Sequence, residues 1–250
     1  MPAKWRTAWI TGASTGIGRE LALRLARHGV RVAASARSAD KLVDLAKAHS
    51  GIRPFRVDVT DRAELAAVHR NIVEAMGPVE LAVLNAGVWH PMQASSYDAR
   101  QAIHSMQVNY FGIVNALEPL IPAMVANGKG HIALVASVAG YRGLPKAAAY
   151  APSKAAVINL AEVLRLELSR HGIVVSLVNP GFVETPMTAV NDFPMPYLLK
   201  ADDAADRILR GLEKGRFEIA FPWQLVGMLK LLRLLPNGLF LRIAGRLGAG

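Results

Sequence analysis

The chain has 250 residues, of which 52% are hydrophobic and 19% are charged, a composition that provides for a core and excludes an intrinsically disordered protein. It contains no cysteine, which excludes a disulfide framework, a thiolate metal site and a cysteine nucleophile. The formal net charge of +10 does not indicate a nucleic-acid partner, because the basic residues are scattered and no aromatic–basic motif accompanies them.

The predicted elements begin almost at the first residue, without the charged and apolar regions of a signal peptide, so we expect a cytoplasmic protein. Asp61 with Glu64 forms an acidic capping box, Ser38 caps another helix, and Pro119 and Pro122 bend or break a long helix. Predicted strands lie at residues 7–10, 30–35, 52–57, 79–84, 130–136, 173–178 and 216–221. Predicted helices lie at residues 17–29, 38–49, 96–126, 148–171 and 202–214, and a further helix opens at Asp61.

Strands that alternate with helices at this spacing indicate βαβ units and a parallel sheet covered by helices on both faces. Right-handed crossovers then favour an α/β fold with a doubly wound sheet. No linker or repeat interrupts the pattern, so we expect a single domain at residues 4–221. Residues 222–250, here called the tail, break the alternation and predict basic, amphipathic helices.

The tail carries four basic residues and no acidic residue. Lys230 and Arg233 lie three residues apart and Arg242 and Arg246 lie four apart, so each pair marks a polar stripe on an apolar helix. A break at residues 236–238 leaves pieces shorter than the roughly 20 apolar residues that cross a bilayer. The unbalanced positive charge favours peripheral contact with a membrane or lipid. Alternatively, the helices pack over a substrate cleft or against a second subunit.

In a doubly wound sheet, ligands bind beyond the carboxyl ends of the strands. The segment TGASTGIG at residues 11–18 follows the first predicted strand and opens the first helix. Its glycines allow a tight turn and let backbone N–H groups approach a pyrophosphate at the helix start. The spacing G-x-x-x-G-x-G differs from the common dinucleotide fingerprint, but its position predicts a dinucleotide site. The residues of this site are Gly12, Ser14, Thr15, Gly16, Ile17 and Gly18.

The end of the second strand favours NADP over NAD. An NAD site places a carboxylate there to hold the ribose hydroxyls, but this chain has Ala36 followed by Arg37. A guanidinium beside hydroxyl groups suits a 2′-phosphate, because its donors match the phosphate oxygens. A solvated surface arginine is the alternative, and the neighbouring glycine loop favours the phosphate.

Polar or glycine residues also follow the other strands. Asp58 is equally compatible with an adenine contact and with a helix cap. Asn85 and Gly87 either make only a turn or, as their place beside the cofactor favours, hold the adenosine or shape the floor of the site. Thr185 is placed to meet a nicotinamide carboxamide. The remaining predicted cofactor-binding residues are Asp58, Val59, Asn85, Ala86, Gly87, Tyr150, Lys154, Pro180, Gly181, Val183 and Thr185.

Tyr150 and Lys154 in YAPSK share one helix face, and Ser137 lies 13 residues upstream of the tyrosine at a strand end. The chain resembles the short-chain dehydrogenases/reductases over about residues 4–221. The motifs that carry this resemblance are TGASTGIG, NAG at 85–87, Ser137, YAPSK and NPGFVET at 179–185. Asn109 in VNYFG resembles the fourth catalytic member of that family. The resemblance implies a Rossmann-like fold, NADP(H) as cofactor, a homodimer or homotetramer, and the catalytic set Asn109, Ser137, Tyr150 and Lys154.

The chemistry explains why such residues occur together. Interconversion of an alcohol and a carbonyl with a nicotinamide needs a group that gives or takes the hydroxyl proton. Tyrosine has a pKa of about 10, and an ammonium about 4 Å away favours the phenolate by roughly 4 kcal/mol, which would bring the pKa of Tyr150 near 7. Ser137 would hold the substrate oxygen, Lys154 would also bind the nicotinamide ribose, and Asn109 would order a water that carries the proton away.

The predicted substrate residues are Ser137, Tyr150, Val88 and Phe182, and the pocket should draw on the loops 88–90, 141–144 and 182–197. These loops are largely apolar, which favours a lipophilic alcohol or ketone as the small-molecule substrate, although a sugar or an acyl-carrier substrate stays open. We expect no metal site. The alternative function is a catalytically silent NADP-binding sensor or scaffold that docks a partner or membrane through the tail. The intact Ser137, Tyr150 and Lys154 set argues against it.

Overall fold

A computed structural model of the chain describes residues 4–247, except for the side chains of Arg246 and Leu247. The predicted stripe of Arg242 and Arg246 therefore lies partly outside the described residues. The strands of the main sheet are β1 Thr7–Thr11, β2 Arg31–Ala36, β3 Ile52–Arg56, β4 Leu81–Leu84, β5 Gly130–Val135, β6 Ile173–Pro180 and β9 Glu218–Phe221. The helices are α1 Gly16–Arg27, α2 Ala39–Ala48, α3 Arg62–Met76, α4 Ala99–Met106, α5 Gly112–Ala126, α6 Tyr150–Leu168, α7 Ala201–Glu213, α8 Trp223–Leu234 and α9 Asn237–Leu247.

The sheet has the order β3-β2-β1-β4-β5-β6-β9, and every neighbouring pair is parallel. The chain starts in the middle at β1, winds outward to β3, and then crosses to β4 on the other side. The predicted α/β fold with a doubly wound parallel sheet is therefore confirmed. The reversal of strand order between β1 and β4 opens a crevice at their carboxyl ends, which is where such folds bind ligands.

Two apolar layers enclose the sheet. Helices α3, α5 and α6 bury one face, with Leu120 and Met124 of α5 among the fully buried side chains. Helices α1, α2 and α7 bury the other face. Since both faces are covered, β1, β4, β5 and β6 are buried along nearly their whole length rather than alternating. The edge strand β3 differs, because its residues Arg53, Pro54 and Arg56 are exposed.

The long helical segment departs from the prediction. Of the predicted bend or break, the break is not found: Pro119 and Pro122 lie inside α5, whose apolar side holds the helix on the sheet despite two missing hydrogen bonds. The irregularity lies earlier, at Gln107–Phe111, which forms a π turn between α4 and α5. The whole stretch Ala99–Ala126 has the length and composition of a membrane-crossing helix, but its α5 part belongs to the core of the domain.

Smaller corrections concern helix caps and one short pair of strands. Asp61 accepts a hydrogen bond from the Glu64 amide as predicted, but the Glu64 carboxylate bonds to the amide of Asp58 rather than that of Asp61. Ser38 occupies the cap position of α2 without a capping hydrogen bond from its hydroxyl. The two-residue strands β7 Val183–Glu184 and β8 Leu199–Lys200 are absent from the prediction, because they are too short to leave a periodic pattern.

The tail forms α8 and α9, separated at Leu235 and Pro236 close to the predicted break. Leu225 and Leu229 of α8 are buried in the core layer of α3, α5 and α6. This packing supports the interpretation that the tail covers the domain. The expected peripheral contact with a membrane receives no support from it.

Replacement of Leu229 by alanine tests this packing. Leu229 is 4% exposed and Leu231, two residues further along α8, is 65% exposed. We expect Leu229→Ala to lower the free energy of unfolding by about 2–5 kcal/mol, because it opens a cavity in the core. The matched change Leu231→Ala should stay within about 0.5 kcal/mol of the wild type. Urea unfolding followed by circular dichroism measures both values, and equal effects of the two changes would show that α8 is not docked.

Candidate active site

A cavity of about 330 Å³ runs along the carboxyl ends of the strands. All predicted cofactor-binding and substrate residues line it except Gly18 and Phe182, and the catalytic residue Asn109 lies behind its wall. Gly18 instead lets α1 approach the glycine loop, because a Cβ there would lie 2.6 Å from Nδ2 of Asn85 and clash with the Gly12 carbonyl. Phe182 packs edge-on against Phe193, with 6.1 Å between the ring centroids.

The glycine loop is shaped by close backbone contacts. Gly12 has φ +67°, and a Cβ on it would lie 2.7 Å from Cα of Ala86. Asn85 donates its Nδ2 hydrogens to the carbonyls of Thr11 and Gly12, both at 3.1 Å. Asn85 therefore braces the loop, which supports the interpretation that it shapes the floor of the site. On the opposite wall, a Cβ on Gly16 would lie 2.8 Å from Cγ2 of Thr185.

Arg37 and Asp58 lie at the other end of the cavity. Arg37 is exposed, Ala36 before it is buried, and no ion pair to Arg37 is found among residues 4–247. Asp58 Oδ1 accepts hydrogen bonds from the amide and the hydroxyl of Thr60, at 2.9 and 2.8 Å. Burial would raise the pKa of Asp58, but these bonds and the charge of Arg37 outweigh burial and lower it. Asp58 thus caps a turn and also lines the cavity, whereas α3 itself is capped by Asp61.

Ser137, Tyr150 and Lys154 converge at the inner end of the cavity. Ser137 follows β5, and its Oγ accepts a hydrogen bond from the Ala139 amide at 3.1 Å and donates to the Pro180 carbonyl at 3.4 Å. Tyr150 is the first residue of α6, and Lys154 lies one turn later. Lys154 is 3% exposed, and its Nζ donates to the carbonyl of Val135 at 2.9 Å.

The electrostatics of this pair differ from the prediction. Burial raises the pKa of Tyr150 to about 12, although a hydrogen bond with Ser137 lowers it in part. Burial also lowers the pKa of Lys154 to about 8. The Lys154 Nζ lies 5.5 Å from the centroid of the tyrosine ring. The expected fall of the phenol pKa to near 7 is therefore not found, because burial raises this pKa and the hydrogen bond with Ser137, rather than the charge of Lys154, is what lowers it in part.

Asn109 lies in the π turn and is fully buried. Its Oδ1 accepts from the Val88 amide at 2.7 Å, and its Nδ2 donates to the Val88 carbonyl at 3.1 Å and to Oγ of Ser153 at 3.0 Å. The Ser153 hydroxyl in turn donates to the carbonyl of Tyr150 at 2.7 Å. Asn109 thus ties the loop after β4 to the first turn of α6, and the π turn brings its amide inward to do so.

Part of the segment at 182–197 lines the cavity. Trp89 packs edge-on against Tyr150, with 5.0 Å between ring centroids, and donates its Nε1 hydrogen to Asn191 at 2.8 Å. Lys146 forms an ion pair with Asp192 at 3.2 Å. These contacts tie the segment to Trp89 after β4 and to Lys146 before α6. The residues of the segment that line the cavity are Val183, Thr185, Met187 and Thr188.

Several lining residues were not found from the sequence. Thr188 accepts a hydrogen bond from the Thr185 amide at 3.1 Å and lines the cavity together with Met187. Both residues follow the NPGFVET motif closely, and this position is the sequence signal by which they could have been predicted. The apolar lining residues that were also missed, Val57, Val108, Val135 and Ala136, look like core residues in the sequence, and no signal separates them from the core.

Comparison with known proteins identifies the family. The family described as short chain dehydrogenase matches residues 6–193, and the chain belongs to it. An uncharacterized oxidoreductase of Myxococcus xanthus is 38% identical over 247 residues, which cover 97% of this chain and 98% of that protein.

Two similar crystal structures carry different cofactors. A short chain dehydrogenase from Burkholderia cenocepacia in complex with NADP has a TM-score of 0.85, 29% identity, and coverage of 97% of this chain and 99% of that one. A short chain dehydrogenase/reductase from Burkholderia phymatum in complex with NAD has a TM-score of 0.84, 25% identity, and coverage of 92% and 94%. The chain is therefore an oxidoreductase with a nicotinamide-binding fold, and the choice between the two cofactors depends on its own residues.

Proposed function

We propose that the chain is an NADP(H)-dependent oxidoreductase that interconverts a lipophilic alcohol and its ketone or aldehyde. The observation that carries the proposal is the convergence of Ser137, Tyr150 and Lys154 at one end of a cavity whose other end is the glycine loop. The cradle suits a dinucleotide, since glycines at positions 12 and 16 let the loop pack closely against Ala86 and Thr185, which line the same cavity.

Each residue has a role at the substrate oxygen or beside it. The Ser137 hydroxyl binds that oxygen, and the Tyr150 hydroxyl gives it a proton in reduction or takes one in oxidation. A tyrosine with a pKa of about 12 is protonated near neutral pH, which is the form that donates to a carbonyl. Lys154 would bind the ribose next to the nicotinamide of the cofactor. Asn109 holds Val88 in the loop after β4, which lines the cavity. The bound cofactor supplies the hydride and, when oxidised, a positive charge that lowers the pKa of the phenol.

Preference for NADP is supported by Arg37. An exposed guanidinium at the outer end of the cavity, with Ser38 beside it and Ala36 where an NAD site would carry a carboxylate, suits a 2′-phosphate.

A lipophilic substrate is supported by the residues around the phenol. The cavity is lined by Val88 and Met187, and Trp89 packs against the ring of Tyr150. A polar substrate would leave its hydroxyl groups without partners against these side chains.

A homodimer or homotetramer is supported by apolar side chains on the outer surfaces of α4, the π turn and α6. Leu166 is 78% exposed and Val163 is 42% exposed on α6, and Ile103 and Phe111 are 59% and 50% exposed. A second copy of the chain would remove these side chains from water.

Replacement of Tyr150 by phenylalanine tests the reaction. We expect the turnover number for reduction of cyclododecanone or decanal with NADPH to fall about 10²–10⁴-fold, because the proton donor is lost. NADPH binding by calorimetry should stay unchanged, and Tyr97→Phe, at a 59% exposed residue, should keep full activity. Retention of turnover by Tyr150→Phe would refute the mechanism. Wild-type protein that binds NADPH but turns over no carbonyl would instead fit the sensor or scaffold.

The double change Ala36→Asp and Arg37→Ile tests the cofactor preference. We expect NADPH affinity to fall by about 30-fold relative to NADH, since a hydrogen-bonded charge contributes about 2 kcal/mol. Calorimetric titration with both cofactors measures the ratio. Arg70→Ile on the exposed side of α3 is the control and should leave the ratio unchanged. An unchanged ratio in the double variant would remove Arg37 from the phosphate site.

Replacement of Leu166 by aspartate tests the oligomer. A charge on α6 should lower the sedimentation coefficient to that of a monomer, because burying an unpaired carboxylate in an interface is costly. Leu231→Asp, at a similarly exposed leucine on α8, should leave the wild-type assembly intact. A monomeric wild type, or an unchanged Leu166→Asp assembly, would contradict an interface at α6.

A further inference from the structure

Glu218 on β9 joins three parts of the chain through one carboxylate. Its Oε1 accepts hydrogen bonds from the Tyr141 hydroxyl and from Nδ2 of Asn179, the latter at 3.0 Å. Its Oε2 accepts from Nζ of Lys230 on α8, which forms an ion pair with it. These partners are 77, 39 and 12 residues away in the sequence. Bonds of this kind to an ionised group are stronger than those between neutral groups, so the carboxylate fixes all three partners together.

One of the partners belongs to the turn that carries the catalytic serine. Ser137 and Tyr141 flank a short 3₁₀ turn at Val138–Gly140, and residues 137–141 together are here called the serine turn. The Gly140 amide donates to the carbonyl of Ser137 at 3.0 Å, the Tyr141 amide donates to the carbonyl of Val138 at 3.1 Å, and the Ala139 amide donates to Oγ of Ser137. These hydrogen bonds connect the backbone of Tyr141 to Ser137 within one short turn.

A second partner lies on the other side of the serine hydroxyl. Asn179 precedes Pro180, whose carbonyl accepts the Ser137 hydroxyl hydrogen at 3.4 Å. The Asn179 side chain is fully buried, and within residues 4–247 its Oδ1 has no hydrogen-bond partner. Its described side-chain anchor is the Nδ2 bond to Glu218. The carboxylate thus holds both segments that contact the Ser137 hydroxyl.

The third partner connects the site to the tail. Lys230 also lies 5.8 Å over the ring of Tyr141. Arg142, the residue after Tyr141, also binds the tail. It donates a hydrogen bond to the Arg233 carbonyl at 2.9 Å and stacks on the ring of Phe240 in α9 at 4.2 Å. The family match ends at residue 193, so these tail residues lie beyond the segment that this chain shares with the family description.

Ionisation of the group follows the same contacts. Burial would raise the pKa of Glu218, but the hydrogen bonds from Lys230, Tyr141 and Asn179 outweigh burial and lower it. Burial and the bond to the carboxylate raise the pKa of Tyr141 above its ordinary value. The group is therefore a stable pairing of a carboxylate, a phenol and an ammonium.

We propose that Glu218 is a positioning residue, which Lys230 of the tail holds in place so that Tyr141 and Asn179 set the serine turn and direct the Ser137 hydroxyl toward Tyr150. The inference rests on the proposed function, since it gives the tail a part in the reaction that Ser137 supports. Removal of the Lys230 charge or of the Tyr141 hydroxyl displaces the Ser137 hydroxyl. Neither Lys230 nor Tyr141 lines the cavity, so the glycine loop keeps its contacts.

The test compares Tyr141→Phe, Glu218→Gln and Lys230→Met with the wild type, using the most rapidly reduced carbonyl among cyclododecanone and decanal. Each variant should lower the turnover number about 10- to 100-fold, the cost of a small misplacement of a reacting group. Calorimetric NADPH affinity and the melting temperature should stay close to wild type, a combination that a general loss of structure would not give. Lys230→Arg keeps the charge and should restore most of the turnover lost in Lys230→Met. Glu162→Gln, at an exposed acid of α6, is the control.

Ser137→Ala in the same assay separates the two possible failures. If Ser137→Ala keeps wild-type turnover, or if the wild type reduces neither carbonyl, the proposed function itself fails and this inference falls with it. If Ser137→Ala loses turnover while Tyr141→Phe and Lys230→Met keep it, the proposed function stands and the positioning role of Glu218 is overturned. Turnover and NADPH affinity that fall together in all three variants would also overturn the positioning role, because they indicate a general structural effect.

Discussion

The close approach of the β1–α1 turn to the end of β4 is the constraint on which the site depends. Gly12 and Gly18 carry no Cβ because the Ala86 backbone and the side chain of Asn85 occupy the space where one would lie. Asn85 then ties the turn down through two carbonyls. This packing places the start of α1, with its free N–H groups, directly beside the crevice at which the strand order reverses. The cavity is thus a consequence of backbone packing, and the catalytic side chains are added to one end of it.

The sequence was sufficient for the sheet and for the list of residues around it. Strands buried on both faces leave continuous apolar runs, and a ligand site at their carboxyl ends leaves polar or glycine residues immediately after each run. Both signals are local in the chain, which is why the doubly wound class of the sheet and most cavity residues could be anticipated, whereas the strand order was not predicted. The same argument explains the failure at Phe182, since a position within a loop does not determine which way its side chain points.

The properties that depend on several distant segments were not predictable in this way. Spacing alone places Tyr150 and Lys154 on one face of α6, but their pKa values depend on burial by β5 and its flanking loops, which the spacing does not reveal. The proline residues of α5 gave a misleading signal, because propensity describes an isolated helix and the core stabilises this one. The π turn that carries Asn109 has no signature in the sequence that we could identify.

The location of the tail also depends on a distant segment and could not be predicted from the sequence of the tail alone. A basic, apolar helix without acidic residues is compatible with a membrane surface and with a docked position, because both bury an apolar stripe and leave cations at its edge. What separates the two is the location of the counter-charge. Glu218 lies outside the tail, on the edge strand of the sheet, and its carboxylate meets Lys230 only after β9 and α8 have packed together. The net charge of a segment therefore indicates little about its partner until the fold shows which opposite charges it can reach.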